Sequence, residues 1–340
     1  MTRSPTSRPG LSLTEVLVAL FVMALGIISL MTLFPLGAVQ MGQALRDDRS
    51  GQTASQADGI TRIWWQTQVV EGPGTELAWL AADNPGAPLP IKVPIAPAIY
   101  DNNPSYPVFV DPIGWQARGP SLVRQNWVGE TAGNVPRRSM NSLGTNLVST
   151  IRACSMMDDI TFKQDGTPDT LSGSTAGVVR EGAFNWCAVI QRPNNANRYV
   201  ADFKVLVFHT KGIYGGHIPG IAPLPPLPPL AGTETVYAPA SAIGGSTQVI
   251  LPVAIANLPV RTGSWIMDGS NVLDPTNTIT HKVANFYRIQ SITELTPIST
   301  ILELDTPLKS TATQIYIIRG LADVFDRPQL TNSGYHRQAP

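Results

Sequence analysis

The chain has 340 residues with 24 basic and 24 acidic side chains, so its formal net charge at neutral pH is zero. That balance excludes nucleic-acid binding through a general basic surface, and no nucleic-acid partner is expected. Charged residues are 14% of the chain against about 25% in an ordinary globular protein. Gly (29) and Pro (30) punctuate it throughout, which is a loop-rich, β-rich extracytoplasmic composition.

The first elements in the chain are the most informative. Arg3 and Arg8 lie in a Ser-, Thr- and Pro-rich start that carries no acidic residue. Residues 16–39 then form a 24-residue apolar run, with Ser29 and Thr32 its only hydroxyls and Pro35 its only breaker. At about 1.5 Å per residue such a helix is long enough to cross a hydrocarbon core about 30 Å thick. The run therefore predicts a transmembrane helix over 16–39. The preceding arginines predict a cytoplasmic N-terminus, with everything after Arg46 outside. An ordinary secretory signal fits less well. Its apolar region is shorter, and Leu36-Gly37-Ala38 places leucine where a small residue is wanted.

Glu15 is the only ionisable side chain between Leu11 and Leu45. At mid-membrane a carboxylate costs about 2.5 to 3.5 kcal/mol on insertion scales. Ser12-x-x-Glu15 also matches a helix capping box, in which the carboxylate satisfies a backbone N–H without any partner chain.

Gly10, then Leu11-Ser12-Leu13-Thr14-Glu15 and the apolar helix, resembles the class III signal of type IV pilins and of type II secretion pseudopilins. The wording is nearest to PilV-like minor pilins, and the resemblance covers about the first 40 residues. It implies that a prepilin peptidase cuts between Gly10 and Leu11 and methylates the new N-terminus. It also implies that Glu15, at the family's glutamate position, serves assembly. The family prefers Phe as the first mature residue, where this chain has Leu11. The freed amine of one subunit paired with Glu15 of its neighbour would offset the desolvation of both charges.

Beyond the apolar run, residues 41–70 keep a near-helical spacing of Ala44, Leu45, Ala54, Ala57, Ile60, Ile63 and Trp64. Gly72-Pro73 ends it. Trp64 and Trp65 are expected to pack against a sheet. Residues 72–145 read as loops with a few short strands, and 147–157 as a short helix. Residues 184–190 and 199–209 read as strands of one hairpin, with Phe203, Val205 and Val207 alternating in the second. The Pro-Leu-Pro-Pro run at 219–231 reads as a linker. After it, strands are expected near 249–255, 264–267, 285–293, 300–304 and 314–319, with a frayed tail after Phe325.

The resulting expectation is an α+β, pilin-like fold. A long N-terminal transmembrane and amphipathic helix (11–71) packs on a β-rich, loop-rich extracytoplasmic domain. A leader (1–10) precedes the helix, and the linker divides the globular part into sub-domains 72–218 and 232–340. Cys154 and Cys187 are the only cysteines. Outside the cytoplasm they are a candidate disulfide worth about 3 to 4 kcal/mol, the alternative being two buried thiols.

No nucleophile elbow, zinc-protease helix, phosphate loop or dinucleotide fingerprint occurs, so no enzyme activity, catalytic residue or cofactor is expected. His209, His217, His281 and His336 lack metal-ligand spacing, and no metal site is assigned. Asp165–Asp169 and Asp268–Asp274 offer oxygens but do not follow the twelve-residue calcium loop. The expected function is a structural minor pilin or pseudopilin, assembled into a type IV pilus or type II secretion pseudopilus. Its expected place is the bacterial inner membrane, single-pass, and then the filament. Its expected partners are the prepilin peptidase, other subunits and that membrane. The competing expectation is a membrane-anchored extracytoplasmic binding or hydrolytic domain that keeps its N-terminal helix.

Overall fold

The computed structural model describes residues 13–70, 107–110, 137–138, 154, 156, 160, 162–168, 184–191, 200–209, 235–273, 279–318 and 320–331. The chain divides into two compact units, Met1–Arg49 and Ser50–Pro340.

The described part of the first unit is helical. Helix α1 runs Leu13–Trp64 and so enters the second unit at Ser50. A single π-helical turn, Trp65–Val70, ends it. In the first unit its apolar side chains are exposed, from Leu13 (78%) through Phe21 (65%) to Met31 (70%).

The second unit is built on strands. A five-stranded sheet has the order β13-β4-β3-β1-β2, formed by Leu321–Leu330, Ala201–His209, Phe184–Gln191, Val108–Val110 and Arg137–Arg138. Its pairs are antiparallel except β1 with β2. A six-stranded antiparallel sheet has the order β5-β12-β7-β10-β11-β6. Those strands are Thr235–Tyr237, Ile315–Ile317, Trp265–Asp268, Asn285–Thr296, Ser299–Leu304 and Gln248–Leu251. A small ribbon pairs β8 (Asn271–Leu273) with β9 (Ile279–Lys282). The six-stranded sheet curls round on itself. Ser241, just past β5, exchanges backbone hydrogen bonds with Ile250 of β6 at the opposite edge.

Period-two alternation sorts the side chains into three cores. Trp186, Ala188 and Ile190 of β3 and Phe203, Val205 and Val207 of β4 face the end of α1, where Ala54, Ala57, Trp64 and Trp65 pack. Their neighbours Cys187, Val189, Leu206 and Phe208 face the six-stranded sheet and meet Met267 and Tyr316. The third core fills the concave side of that sheet with Val249, Leu251, Ile266, Tyr287, Ile289, Leu302, Leu304, Ile315 and Ile317. Trp186 is fully buried. An aromatic ring burying 150–250 Å² contributes about 4 to 6 kcal/mol of transfer free energy, as an upper bound.

Several expectations are corrected. Residues 50–340 form one strand-rich unit with two largely antiparallel sheets, in place of a long helix laid along a two-part domain. Only α1 residues 50–64 pack in that unit, because only there do small and aromatic residues, Ala54, Ala57 and Trp64, meet the sheet. No helix among the described residues is long and apolar enough to cross a membrane. The transmembrane helix at 16–39, the signal-anchor and the single-pass inner-membrane placement are withdrawn on that finding.

The division at 219–231 is corrected as well. β13, from the expected second part, is an edge strand of the first sheet, bonded along β4. Its expected fraying after Phe325 fails because Leu330 is buried, and Asp326 pairs with Lys204 across the strands. Pro328 is tolerated there because an edge strand has one side free of ladder bonds. The leader, the 219–231 run, the short strands of 72–145 apart from 107–110 and 137–138, and most of the 147–157 helix lie outside the described residues.

Candidate functional site

Two places carry the chemistry. The first is the start of α1. Glu15 stands in the first turn, where the positive end of the helix dipole favours a carboxylate, and it is exposed. Around it Val16, Leu17, Val18, Leu20, Phe21, Val22 and Met23 are all 45% exposed or more. Successive helical residues point about 100° apart, so this exposure runs round the whole circumference. The processing residues Gly10 and Leu11 lie outside the described residues.

The two cysteines are not brought together. Both are buried and no disulfide joins them. Cys187 sits on the β3 face that meets the six-stranded sheet, whereas Cys154 packs with Trp186 on the opposite face. Trp186 Nε1 donates to the Cys154 carbonyl at 3.1 Å. Adjacent strand residues point to opposite faces, so contact with Trp186 places Cys154 away from the Cys187 thiol. The candidate disulfide is therefore corrected to two buried thiols.

The second place is a buried polar cluster that sequence reasoning touched at Asp268 but did not assemble. Lys282, at the end of β9, is 0% exposed. Its Nζ donates to Gln314 Oε1 (2.8 Å), Gly269 O (3.1 Å) and Tyr316 Oη (3.2 Å). Tyr316 Oη in turn donates to Gln314 Oε1 at 3.2 Å. Asp268, the last residue of β7, is fully buried. Its Oδ1 accepts from Ser270 N (3.0 Å) and Ser270 Oγ. Its Oδ2 has no hydrogen-bond partner among the described residues. Ser270 Oγ accepts from the backbone of Thr313 (2.7 Å) and Gln314 (3.2 Å), which ties the β7–β8 turn to the approach of β12.

Burial sets the electrostatics of this cluster. Desolvation lowers the Lys282 ammonium to about 8, against the opposing pull of the Asp268 charge. Desolvation raises the Asp268 carboxyl, although the Ser270 hydrogen bonds and Lys282 oppose it. Burial pushes the Tyr316 phenol up to about 12. A poised amine, a carboxamide held by two donors and a carboxyl able to carry a proton thus share one dry region. Pattern alone exposes Lys282 poorly, because its partners lie near positions 269 and 314–316.

Other singled-out residues resolve locally. Asp165 Oδ1 accepts from Thr167 N (2.9 Å) and Thr167 Oγ1 (2.6 Å), which closes an exposed turn. The same Thr167 bonds hold its carboxyl below the usual range. His209 packs edge-on against Phe184, with ring centroids 5.0 Å apart. No group of three or more His, Cys, Asp or Glu that could hold a metal occurs among the described residues.

No family model matches this chain, and no curated protein matches it. Among solved structures, one match is the phage phi92 endosialidase, with 9% identity and a TM-score of 0.16. The match covers 43% of this chain and only 19% of that one. At that TM-score the likeness carries no argument about fold or activity.

Proposed function

We propose that the chain is a structural filament subunit of the minor pilin or pseudopilin class. In this reading a prepilin peptidase cuts it at Gly10–Leu11, and the chain assembles into a type IV pilus or a type II secretion pseudopilus. The observation that carries the reading is the exposure of apolar side chains round the whole of α1 over residues 16–28, with Glu15 as the one ionisable group at its head. A helix that is apolar on every side is not stable facing water and needs cover on every side. Neighbouring copies of the same helix supply that cover in a filament core. Glu15 lies four residues past the freed amine of Leu11 and is placed to pair with the amine of an adjacent subunit. The β-rich unit then decorates the filament. The partners are the peptidase and other subunits.

The test is the N-terminal peptide of the chain expressed with and without a prepilin peptidase. A peptide beginning at N-methylated Leu11 only in the presence of the enzyme supports the reading. A peptide beginning at Met1 or Thr2 in both removes it.

A further inference from the structure

The cluster around Lys282 is not used by the filament reading, yet it has the parts of a reaction centre. The Lys282 amine and the Gln314 carboxamide are in contact at 2.8 Å, and both the amine and the Tyr316 hydroxyl bear on the same carbonyl oxygen. When the amine attacks, the Tyr316 hydroxyl stays on that oxygen and stabilises the negative charge that develops there. Desolvation keeps part of the Lys282 side chain in the neutral, nucleophilic form at mild pH. Asp268 acts on Lys282 through its charge alone, since its Oδ2 has no hydrogen-bond partner among the described residues. All these groups sit on β7, β9 and β12 or the turns beside them, so the fold holds them in place before any reaction.

We propose that Lys282 and Gln314 are joined by an intramolecular isopeptide bond. The neutral Nζ of Lys282 attacks Cδ of Gln314. A C–N bond forms, and the carbonyl π electrons move to Oε1, which takes the proton that Tyr316 Oη donates to it. The attacking nitrogen passes a proton to Tyr316 Oη, which already accepts a hydrogen bond from it. Tyr316 then relays the proton from Oε1 to the departing Gln314 nitrogen as the carbonyl reforms, and ammonia leaves. The products are one secondary amide and one ammonia, with no oxidant, reductant or cofactor involved. One amide replaces another, and escape of ammonia makes the step one-way. The bond fastens the β8–β9 ribbon to β12 across 32 positions of sequence.

The experiment uses the full-length purified protein, incubated in its folded state at pH 7 and pH 9 and then digested for peptide mass analysis. The expected product is a branched peptide linking Lys282 to Gln314, lighter by one ammonia than its two linear parts, with no tryptic cut after Lys282. It is absent from Lys282→Met and Gln314→Met. It forms about a hundredfold more slowly in Tyr316→Phe, the loss expected when a proton-transferring group is removed. Only linear peptides after prolonged incubation of the wild-type chain at pH 9 overturn the proposal. That wild-type measurement decides the matter even if a variant fails to fold.

Discussion

Lys282 Nζ lies 2.8 Å from Gln314 Oε1, which fastens the β8–β9 ribbon to the approach of β12. Its third acceptor, Tyr316 Oη, belongs to a ring that is itself 1% exposed, so the contact is made out of water.

That burial makes stability depend on pH in a definite direction. In the unlinked chain Lys282 titrates at about 8 when folded, against the ordinary 10.5 when unfolded. Between those values the unfolded chain holds more protons, so the contribution of this group to stability rises with pH. The full difference is about 3 kcal/mol at most. Urea midpoints of chain shown by peptide mass to be unlinked, against Lys282→Met, should diverge in favour of wild type from pH 7.5 to pH 10. A stability of wild type relative to Lys282→Met that falls over that range contradicts a buried ammonium.

Gly269 lies flat against Tyr316. A Cβ placed there would stand 2.3 Å from Tyr316 Cε2. That ring is buried and cannot swing clear, so Gly269→Ala should cost about 1 to 3 kcal/mol as overpacking. Gly51, in α1, has nothing within 4 Å of its would-be Cβ. Gly51→Ala should stabilise by about 0.5 to 1 kcal/mol through helix propensity. Thermal melts of the two variants should move in opposite directions.

Thr61 faces the core between α1 and the five-stranded sheet with 0% exposure, and its Oγ1 has no hydrogen-bond partner among the described residues. Valine has the same shape without the stranded hydroxyl. Thr61→Val should therefore gain about 1 kcal/mol in denaturant unfolding. A loss of similar size would show that the hydroxyl has a partner.

The sequence exposed elements whose own residues decide them. Alternation of Phe203, Val205 and Val207 marks β4, and its antiparallel pairing with β3 follows. The same holds for β10 with β11. The strand expected over 249–255 stops at Leu251, because Pro252 cannot donate to the ladder, and Ile255–Asn257 forms a 3₁₀ turn. β13 was hidden because Asp323, Asp326 and Pro328 read as a polar tail. Its strand character comes from β4, in particular the Lys204–Asp326 pair. The Lys282 cluster was hidden for the same kind of reason, since its acceptors are supplied by β12 and the turn after β7. The break at Arg49/Ser50 was hidden inside one helical periodicity, because packing ends there and helix propensity does not.

At the other end of the chain, the assembly role of Glu15 is open to a single substitution. A charge-assisted pair contributes about 1.5 to 3 kcal/mol. Each 1.4 kcal/mol is a factor of ten, so Glu15→Ala should lower incorporation into filaments by about ten- to a hundredfold. Cleavage after Gly10 should persist in the variant. Incorporation at the wild-type level would remove the charge-pairing role.

The filament-subunit reading stands or falls on the N-terminal peptide of the full chain, recovered with and without a prepilin peptidase. N-methylated Leu11 is the expected first residue, and only when the peptidase is present. A chain that begins at Met1 or Thr2 under both conditions contradicts it.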